Sequence, residues 1–585
     1  MIPRWLEKRH EILWEAFQNS PFKFEDAAKV LKEKNQDNED QVNVFLSELR
    51  KKGWLTVEFD PQDARKRIYK LKSKKEIIFN LLSVSKEELT RGELEALLKK
   101  AADLIRTRVD YTFILTLLFY KRICDKWEKE FKEAYKEALA DGLSEEEAKE
   151  EAKNVVYHDF DIPEEFLWEK LRREPSRLPE NFSKAMKALA ERNPELRDVF
   201  ENVDFVQFTT SRENAEILRQ LVELFSAKSL HNVSPDILGD AYEWILHYFA
   251  PQKAKEGEVY TPREVIKLIV EILAPKPGES IYDPACGSGG MLIVSYKYVE
   301  NEHGRKEADK LFLFGQEANH KTLALAKMNL YIHDIRNAQL VLGDTLLYPK
   351  FKEGEGIKKF DIVIANPPWN QDGYDETVLK KGEFWKERYK FGFTPRQSAD
   401  WAWIQHMLSS AKDDTGRVGV VIDNGCLFRG GKEKVIRTQI LNADLIEAVI
   451  LLPEKLFYNT GAPGAIIILN KNKQNKNKIL FINASKEYEQ HPEVRKLNRL
   501  GDEHIKKIAN AYKEFKDIKG FCKVVSLDEI KENDYNLNVT LYIFPEEEIE
   551  EIDIAKEWKE LMWIEKELSE VNKKIEAYLV ELEYE

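Results

Sequence analysis

The stretch Asn366-Pro367-Pro368-Trp369 carries the side chains best suited to chemistry in this 585-residue chain. It closes an apolar run, Phe360-Asp361-Ile362-Val363-Ile364-Ala365, that reads as a buried strand. Proline has no N–H to donate and pushes the preceding residue out of helical geometry, so two in succession hold Asn366 extended at the strand's carboxyl end. A side-chain amide, stiff backbone carbonyls and the flat Trp369 ring suit a clamp for a planar group bearing an amine. A plain strand-to-loop turn accounts for the prolines equally well.

A second cluster follows Ile281-Tyr282, where Asp283-Pro284-Ala285-Cys286-Gly287-Ser288-Gly289-Gly290 leads into the apolar Met291-Leu292-Ile293-Val294. This reads as a strand entering a Gly-rich turn and then a helix, with the glycines letting backbone approach a ligand at the crevice beyond the strand ends. Nicotinamide, flavin and methyl-donor folds all use such a turn. Asp283 just before the turn can accept from an amine, whereas a pyrophosphate would be repelled there. Glu317 ends the next strand, as an acceptor pair for a ribose diol. Asp344, after Gly343, ends the third, where a carboxylate accepts from an adenine amino group. Three acidic residues at the ends of three consecutive strands describe a pocket for a nucleoside with a cationic amino acid attached. S-adenosylmethionine fits that description and a dinucleotide fits it less well.

The elements that must position these groups alternate from about residue 257. Apolar runs at 280–282, 311–315, 339–342, 360–365, 418–422 and 445–452 read as strands separated by helices. A further strand at 464–469 follows a turn too short for a helical crossover, so it runs antiparallel to its neighbour. The fold class is α/β, a doubly wound, mostly parallel sheet with a reversed seventh strand. Residues 479–482 add one more strand, with helices expected beyond it. Domains are expected at 1–80, 88–250, 251–485 and 486–585. The first reads as three helices and a hairpin, resembling a winged helix. Its hairpin and return strand carry Arg65, Lys66, Arg67, Lys70, Lys72, Lys74 and Lys75, a candidate phosphate contact, while Asp37, Glu39 and Asp40 precede the third helix and repel DNA. A DNA reader and a protein-docking module both remain open for it. Residues 88–250 are helical throughout. Near the end, Ile554, Leu561, Leu568, Ile575 and Leu582, interleaved with Ile564, Val571 and Tyr578, form a heptad pattern over 552–583 suited to pairing with another helix.

The net charge of −13 argues against a protein that coats nucleic acid unaided, because phosphate binding needs clustered Lys and Arg. Cys124, Cys286, Cys426 and Cys522 are too scattered for a zinc site or a disulfide framework. No metal is expected. Neither a signal-peptide core nor a run long enough to span a membrane is present, so a cytoplasmic protein is expected.

Together, Asp283–Gly290 and Asn366–Trp369 resemble the amino-group DNA methyltransferases, and more closely the modification (methyltransferase) subunit of type I restriction-modification systems. The segment Glu258-Val259-Tyr260-Thr261-Pro262-Arg263 resembles that family's extra donor-binding block, and Leu427–Gly431, Ala448–Pro453 and Leu456–Gly461 resemble its later ones. The position of Trp369 is more often Phe or Tyr in the wider family. The resemblance spans about 88 to 545 and implies an S-adenosylmethionine-dependent methyltransferase fold behind a helical domain, with N6-methylation of adenine in double-stranded DNA. It assigns Asn366, Pro367, Pro368 and Trp369 to catalysis. Donor binding falls to residues 258–263, Asp283, Gly287, Ser288, Gly289, Gly290, Glu317 and Asp344. It also implies a complex with a specificity subunit and a restriction subunit, with two copies of this chain. No G-x-x-x-x-G-K-[ST] loop appears, so ATP-driven translocation belongs elsewhere. No segment after the catalytic region is large enough to read several bases, so target choice is expected from a partner docked on 552–583. An RNA or protein-glutamine methyltransferase, and a non-catalytic DNA-binding subunit, stay open as alternatives.

Overall fold

A computed structural model describes residues 4–581, apart from 19, 52–53, 61–62, 72–90, 106–110, 201–204, 210, 251–260, 458–459, 492–494, 545–553 and scattered positions between 231 and 250. The chain divides into two compact units, Met1–Leu89 and Thr90–Glu585.

In the first unit, helices Arg4–Phe17, Phe24–Asn35 and Glu39–Lys51 precede the hairpin Leu55–Asp60 and Asp63–Leu71. Phe22–Lys23 adds a third short strand to the hairpin. Leu13, Leu31, Phe45 and Leu49 fill the core, as their helical spacing requires. The acidic approach to the third helix differs from the sequence expectation. Asp37 is buried and takes two hydrogen bonds from the Arg9 guanidinium, at 2.6 and 2.9 Å, so its charge is matched and withdrawn from the surface. The sequence-flagged Lys72, Lys74 and Lys75 lie outside the described residues.

The second unit opens with helices. Thr112–Ala140 buries Ile114, Leu115, Leu117, Leu118 and Phe119 in its first two turns, and its later half is a charged surface. The α/β region follows, on a nine-stranded sheet. Its strands are β1 (Ser280–Asp283), β2 (Phe312–Glu317), β3 (Ala338–Leu342), β4 (Ile362–Ala365), β5 (Arg417–Asp423), β6 (Ile446–Leu451), β7 (Gly464–Asn470), β8 (Lys478–Asn483) and β9 (Cys522–Ser526). Their spatial order is β9-β8-β6-β7-β5-β4-β1-β2-β3. From β5 to β3 every neighbour is parallel. β7 is wedged between β5 and β6, antiparallel to both, as its short connection demands.

β4 lies mid-sheet and is buried on both faces, which is why it reads as an unbroken apolar run. Ile362 and Ile364 point into one core with α1 (Arg263–Leu273) and α2 (Gly290–His303). Val363 and Ala365 point into the opposite core. α3 (His320–Ile332) flanks β2 and β3, α4 (Asp400–Ser410) packs under β4 and β5, and α5 (Gly431–Asn442) shares that second face.

Two expectations are corrected. β4 starts at Ile362, two residues after Phe360, because the Asp361 carboxylate is turned aside to accept from the Ser280 N–H and hydroxyl at the start of β1. The sheet also continues past 483. β9, Cys522–Ser526, pairs antiparallel with β8 where only helices were expected. Among the described residues no helix is long and apolar enough to cross a membrane.

Ile364→Ala should lower the stability of this unit by about 2–5 kcal/mol, the usual cost of a large aliphatic deleted from a closed core. Chemical denaturation read at tryptophan fluorescence measures it. A loss well under about 1 kcal/mol would mean that the β4 site collapses without a cavity.

Candidate active site

Both sequence clusters arrive at the carboxyl edge of the parallel strands, from the adjacent strands β1 and β4. Where β4 stops, the Asn366 side chain is held at both ends. Its Nδ2 donates to Thr261 Oγ1 at 2.7 Å, and its Oδ1 accepts from the Trp369 indole N–H at 2.8 Å. The extra block before α1 is thereby tied to the end of β4. Glu258, Val259 and Tyr260 of that block lie outside the described residues, while Pro262 precedes α1 and Arg263 opens it.

Trp369 is half-buried and meets Phe457 edge-on, with ring centroids 4.7 Å apart at 66°. The close approach needs a glycine. A Cβ on Gly464, the first residue of β7, would sit 2.8 Å from atoms of both rings. Beyond the tryptophan, Asn370 takes a left-handed conformation (φ 52°), and its N–H donates to Asp400 Oδ1 at 2.9 Å. Asp400 is buried at the start of α4 and pairs with Arg429, which also binds Asp423 at 2.8 Å and Glu433 at 2.6 Å. Burial raises the Asp400 carboxyl to about 6, against the pull of the Asn370 N–H and Arg429. One guanidinium among three carboxylates thus anchors the loop that carries the Asn-Pro-Pro-Trp motif.

The Gly-rich turn is built on a carboxylate as well. Asp283 ends β1 at 1% exposure and accepts from the Ala285 N–H at 3.0 Å. Burial raises its pKa to about 8, and the nearby Glu317 charge adds to the rise. Cys286 N–H bonds Gln316 O at 3.0 Å, and Gly287 N–H bonds Glu317 Oε2 at 3.0 Å, so the turn is stitched to the end of β2. Glu317 Oε1 accepts from the Asn319 N–H. Gly287 (φ 52°) has open space where a Cβ would stand, and Gly289 (φ 84°) packs over the Ala326 backbone. The Ser288 carbonyl accepts from Asn329 on α3, and Gly290 begins α2. Asp344, beyond β3, accepts from the Leu347 N–H and from the Tyr374 hydroxyl at 2.8 Å.

The structure therefore joins Asp283 and Glu317 across Gly287, and joins Asn366, Thr261 and Trp369 through one amide. Asp344 reaches the segment after the motif through Tyr374. Asp400 and Tyr374 were missed in the sequence. Asp400 showed nothing beyond a polar residue at a helix start, and Tyr374 sits in a loop without periodicity. Arg429 and Phe457 were visible only as members of the later blocks.

A mostly parallel sheet with a reversed strand set among its parallel ones, a Gly-rich turn after its first strand and acidic residues after the next two defines the S-adenosylmethionine-dependent methyltransferase fold. The N-6 DNA methylase family model matches residues 233–551, and the HsdM N-terminal domain model matches 94–225. The type I restriction enzyme MjaVIII methylase subunit of Methanocaldococcus jannaschii is 47% identical, over 99% of this chain and 98% of its own length. The MjaVII methylase subunit of the same organism is 44% identical, over 99% and 97%. A crystal structure of the type I restriction-modification system methyltransferase subunit from Streptococcus thermophilus superposes with a TM-score of 0.68 at 29% identity, covering 78% of this chain and all of that one. The chain belongs to the N-6 DNA methylase family, among the methylase subunits of type I restriction enzymes.

The Asp283 carboxyl has a pH signature. Its folded pKa, about 8, lies above the unfolded value near 4, so between the two the folded chain holds a proton that the unfolded chain has lost. Its contribution to stability is complete below about pH 4 and is lost as pH rises through about 8. Asp283→Asn, neutral throughout, should gain in melting temperature relative to the parent as pH is raised from 5 to 8 in the absence of ligand. A difference that stays flat with pH would contradict this assignment.

Proposed function

We propose that this chain transfers a methyl group from S-adenosylmethionine to N6 of an adenine extruded from a specific double-stranded DNA sequence, as the modification subunit of a type I restriction-modification complex. The observation that carries this reading is the Asn366 amide, held at the end of β4 next to the Gly-rich turn of β1.

A base inside the duplex cannot present its amino group to a methyl donor, so the adenine is flipped out of the stack. Asn366 Oδ1 and the Pro367 carbonyl accept the two N6 hydrogens, which draws electron density onto nitrogen and aims its lone pair. Pro368 keeps that backbone stiff. Trp369 stacks on the ring, a contact worth about 1–3 kcal/mol. In the unliganded chain the Trp369 N–H already occupies Asn366 Oδ1, so base entry exchanges one N–H donor for another. Thr261 holds the far end of the amide and keeps the oxygen facing the base.

The residues at the strand ends fit S-adenosylmethionine. When bound, it supplies a methyl group on a cationic sulfur. Asp283, held largely protonated by burial, ionises beside a cationic amine. The open side of Gly287 lets backbone approach, and Ser288, Gly289 and Gly290 continue that wall. The Glu317 carboxylate at the end of β2 suits a ribose diol, and Asp344 keeps a lone pair for an adenine amine. Residues 258–263 are assigned to the donor by their resemblance to the family's extra donor-binding block. The amino nitrogen takes the methyl group as the carbon–sulfur bond breaks toward sulfur, and the extra N6 proton then leaves. Donor and acceptor held in line supply much of the rate.

Asn366→Ala should lower methyl transfer from labelled donor to DNA by about 10²–10³-fold or more, with donor affinity by calorimetry unchanged. Unaltered transfer sinks the mechanism, and label in RNA or protein instead of DNA sinks the substrate.

The helix α6 (Ile554–Glu581) supports the partner assignment. It is 28 residues long, about 42 Å at 1.5 Å per residue. Trp558 (62% exposed), Trp563 (59%) and Tyr578 (63%) stand in solvent along with Leu561, Ile564, Leu568, Val571 and Ile575. Heptad-spaced apolar residues left exposed among the described residues suit an intermolecular helix pair. In this reading α6 packs on the specificity subunit, which chooses the sequence, and the restriction subunit joins a complex with two copies of this chain. In the same reading the reaction is cytoplasmic. Truncation before residue 552 should abolish copurification with the specificity subunit while leaving the melting temperature of the remainder unchanged. A complex that survives truncation removes the assignment.

A further inference from the structure

Phe457, which meets Trp369 edge-on, also lines a cavity of about 770 Å³. Its walls are the turn after β6 and the hairpin made by Glu489–Gln490 and Asn498–Arg499. The two walls are stitched together. Asn498 donates its N–H to the Lys455 carbonyl at 2.8 Å and its side-chain amide to the Glu454 carbonyl at 2.9 Å. Lys455, Arg495 and Lys496 line the cavity, with Tyr488 and Asn498 between them.

The charge balance here runs against that of the chain. Among the described residues beside the cavity, Glu489 is engaged by Arg499 at 2.7 Å and Glu487 by Lys507 at 2.6 Å, Glu454 is exposed next to Lys455, and Glu493 lies outside the described residues. Among the described residues Lys455, Arg495 and Lys496 make no ion pair, and all three are exposed. A chain of net charge −13 thus concentrates three unmatched cations in one concavity that shares a wall, Phe457, with the Trp369 slot. Lys and Arg with interleaved Tyr and Asn are the side chains that hold phosphate and sugar oxygens. The volume falls in the range of sites that enclose a small molecule, enough for a nucleotide unit.

We infer that this cavity takes the sugar–phosphate backbone of the DNA strand next to the flipped adenine, with Lys455, Arg495 and Lys496 on its phosphate oxygens. The inference rests on the DNA-methyltransferase reading above. Extruding a nucleotide rotates its flanking phosphates out of register, and a cation cluster one ring away from the base slot holds them there. It also supplies an electrostatic contact that the acidic total charge otherwise denies to DNA.

The test is binding of a labelled DNA duplex to the complex of this chain with its specificity subunit, by fluorescence anisotropy over a salt series, beside an RNA duplex of the same sequence. Each phosphate contact contributes about 0.9 to the slope of log affinity on log salt. The triple variant Lys455→Gln, Arg495→Gln, Lys496→Gln should have a slope shallower by about 2–3 and bind DNA about tenfold more weakly or worse at low salt. Lys455→Arg with Lys496→Arg should retain the parent slope. Donor affinity by calorimetry should be unchanged in all of them. If the triple variant loses donor affinity, the exposed single Lys496→Glu decides, with a slope shallower by about 1 or more expected. A parent that binds DNA with a salt slope the variants share overturns the cavity assignment alone. A parent with no salt-dependent affinity for DNA, or with a preference for the RNA duplex, overturns it together with the DNA reading.

Discussion

Everything at this site depends on a strand that stops in the middle of a sheet. β4 is packed on both faces, so its backbone cannot shift by a fraction of a residue without disturbing two cores. Two prolines end it abruptly, and the first polar side chain beyond it, Asn366, inherits that rigidity. The amide is then fixed at its nitrogen by Thr261 and at its oxygen by Trp369. A group that must be aimed to within a fraction of an ångström is best carried on an element that cannot move, and here the aim comes from the core.

The surrounding charges serve the same end from outside. Arg429 gathers Asp400, Asp423 and Glu433, and Asp400 in turn holds the backbone just past Trp369. A buried cluster of this kind adds little net stability, because desolvation offsets much of its attraction. What it contributes is geometry. The guanidinium has a fixed fork of donors, so the loop has one arrangement that satisfies all three carboxylates. Glu317 does comparable work at the Gly-rich turn, spanning that turn and the end of β2 with two oxygens.

How much of this was legible in the sequence follows from the range of each interaction. Parallel strands buried on both faces are continuous apolar runs, so β1, β2 and β4 to β6 stood out, the edge strand β3 showed as a short apolar run, and the orientation of β7 followed from the length of its connection alone. β9 did not stand out: Cys522-Lys523-Val524-Val525-Ser526 is short, half-polar, and pairs with a strand some forty residues earlier. Asn366 and the Gly-rich turn were visible because their chemistry is local to a few consecutive residues. The Asp400–Arg429 cluster was not, since it is made by residues that meet only after folding. The bond from Trp369 to Asn366 belongs to the same class. The sequence specifies an indole, but only the packing of that ring against Phe457 and Gly464 decides where its N–H points.

The bare helix α6 has a consequence for the cell's inventory. A stripe of Trp, Leu, Ile and Val about 42 Å long is a sticky surface until something covers it. Under the proposed assembly, a copy synthesised in excess of its partner is exposed to self-association and to proteases, while an assembled copy is shielded. The working amount of the enzyme is then set by the scarcer chain, a form of dosage control that needs no regulator beyond the helix itself.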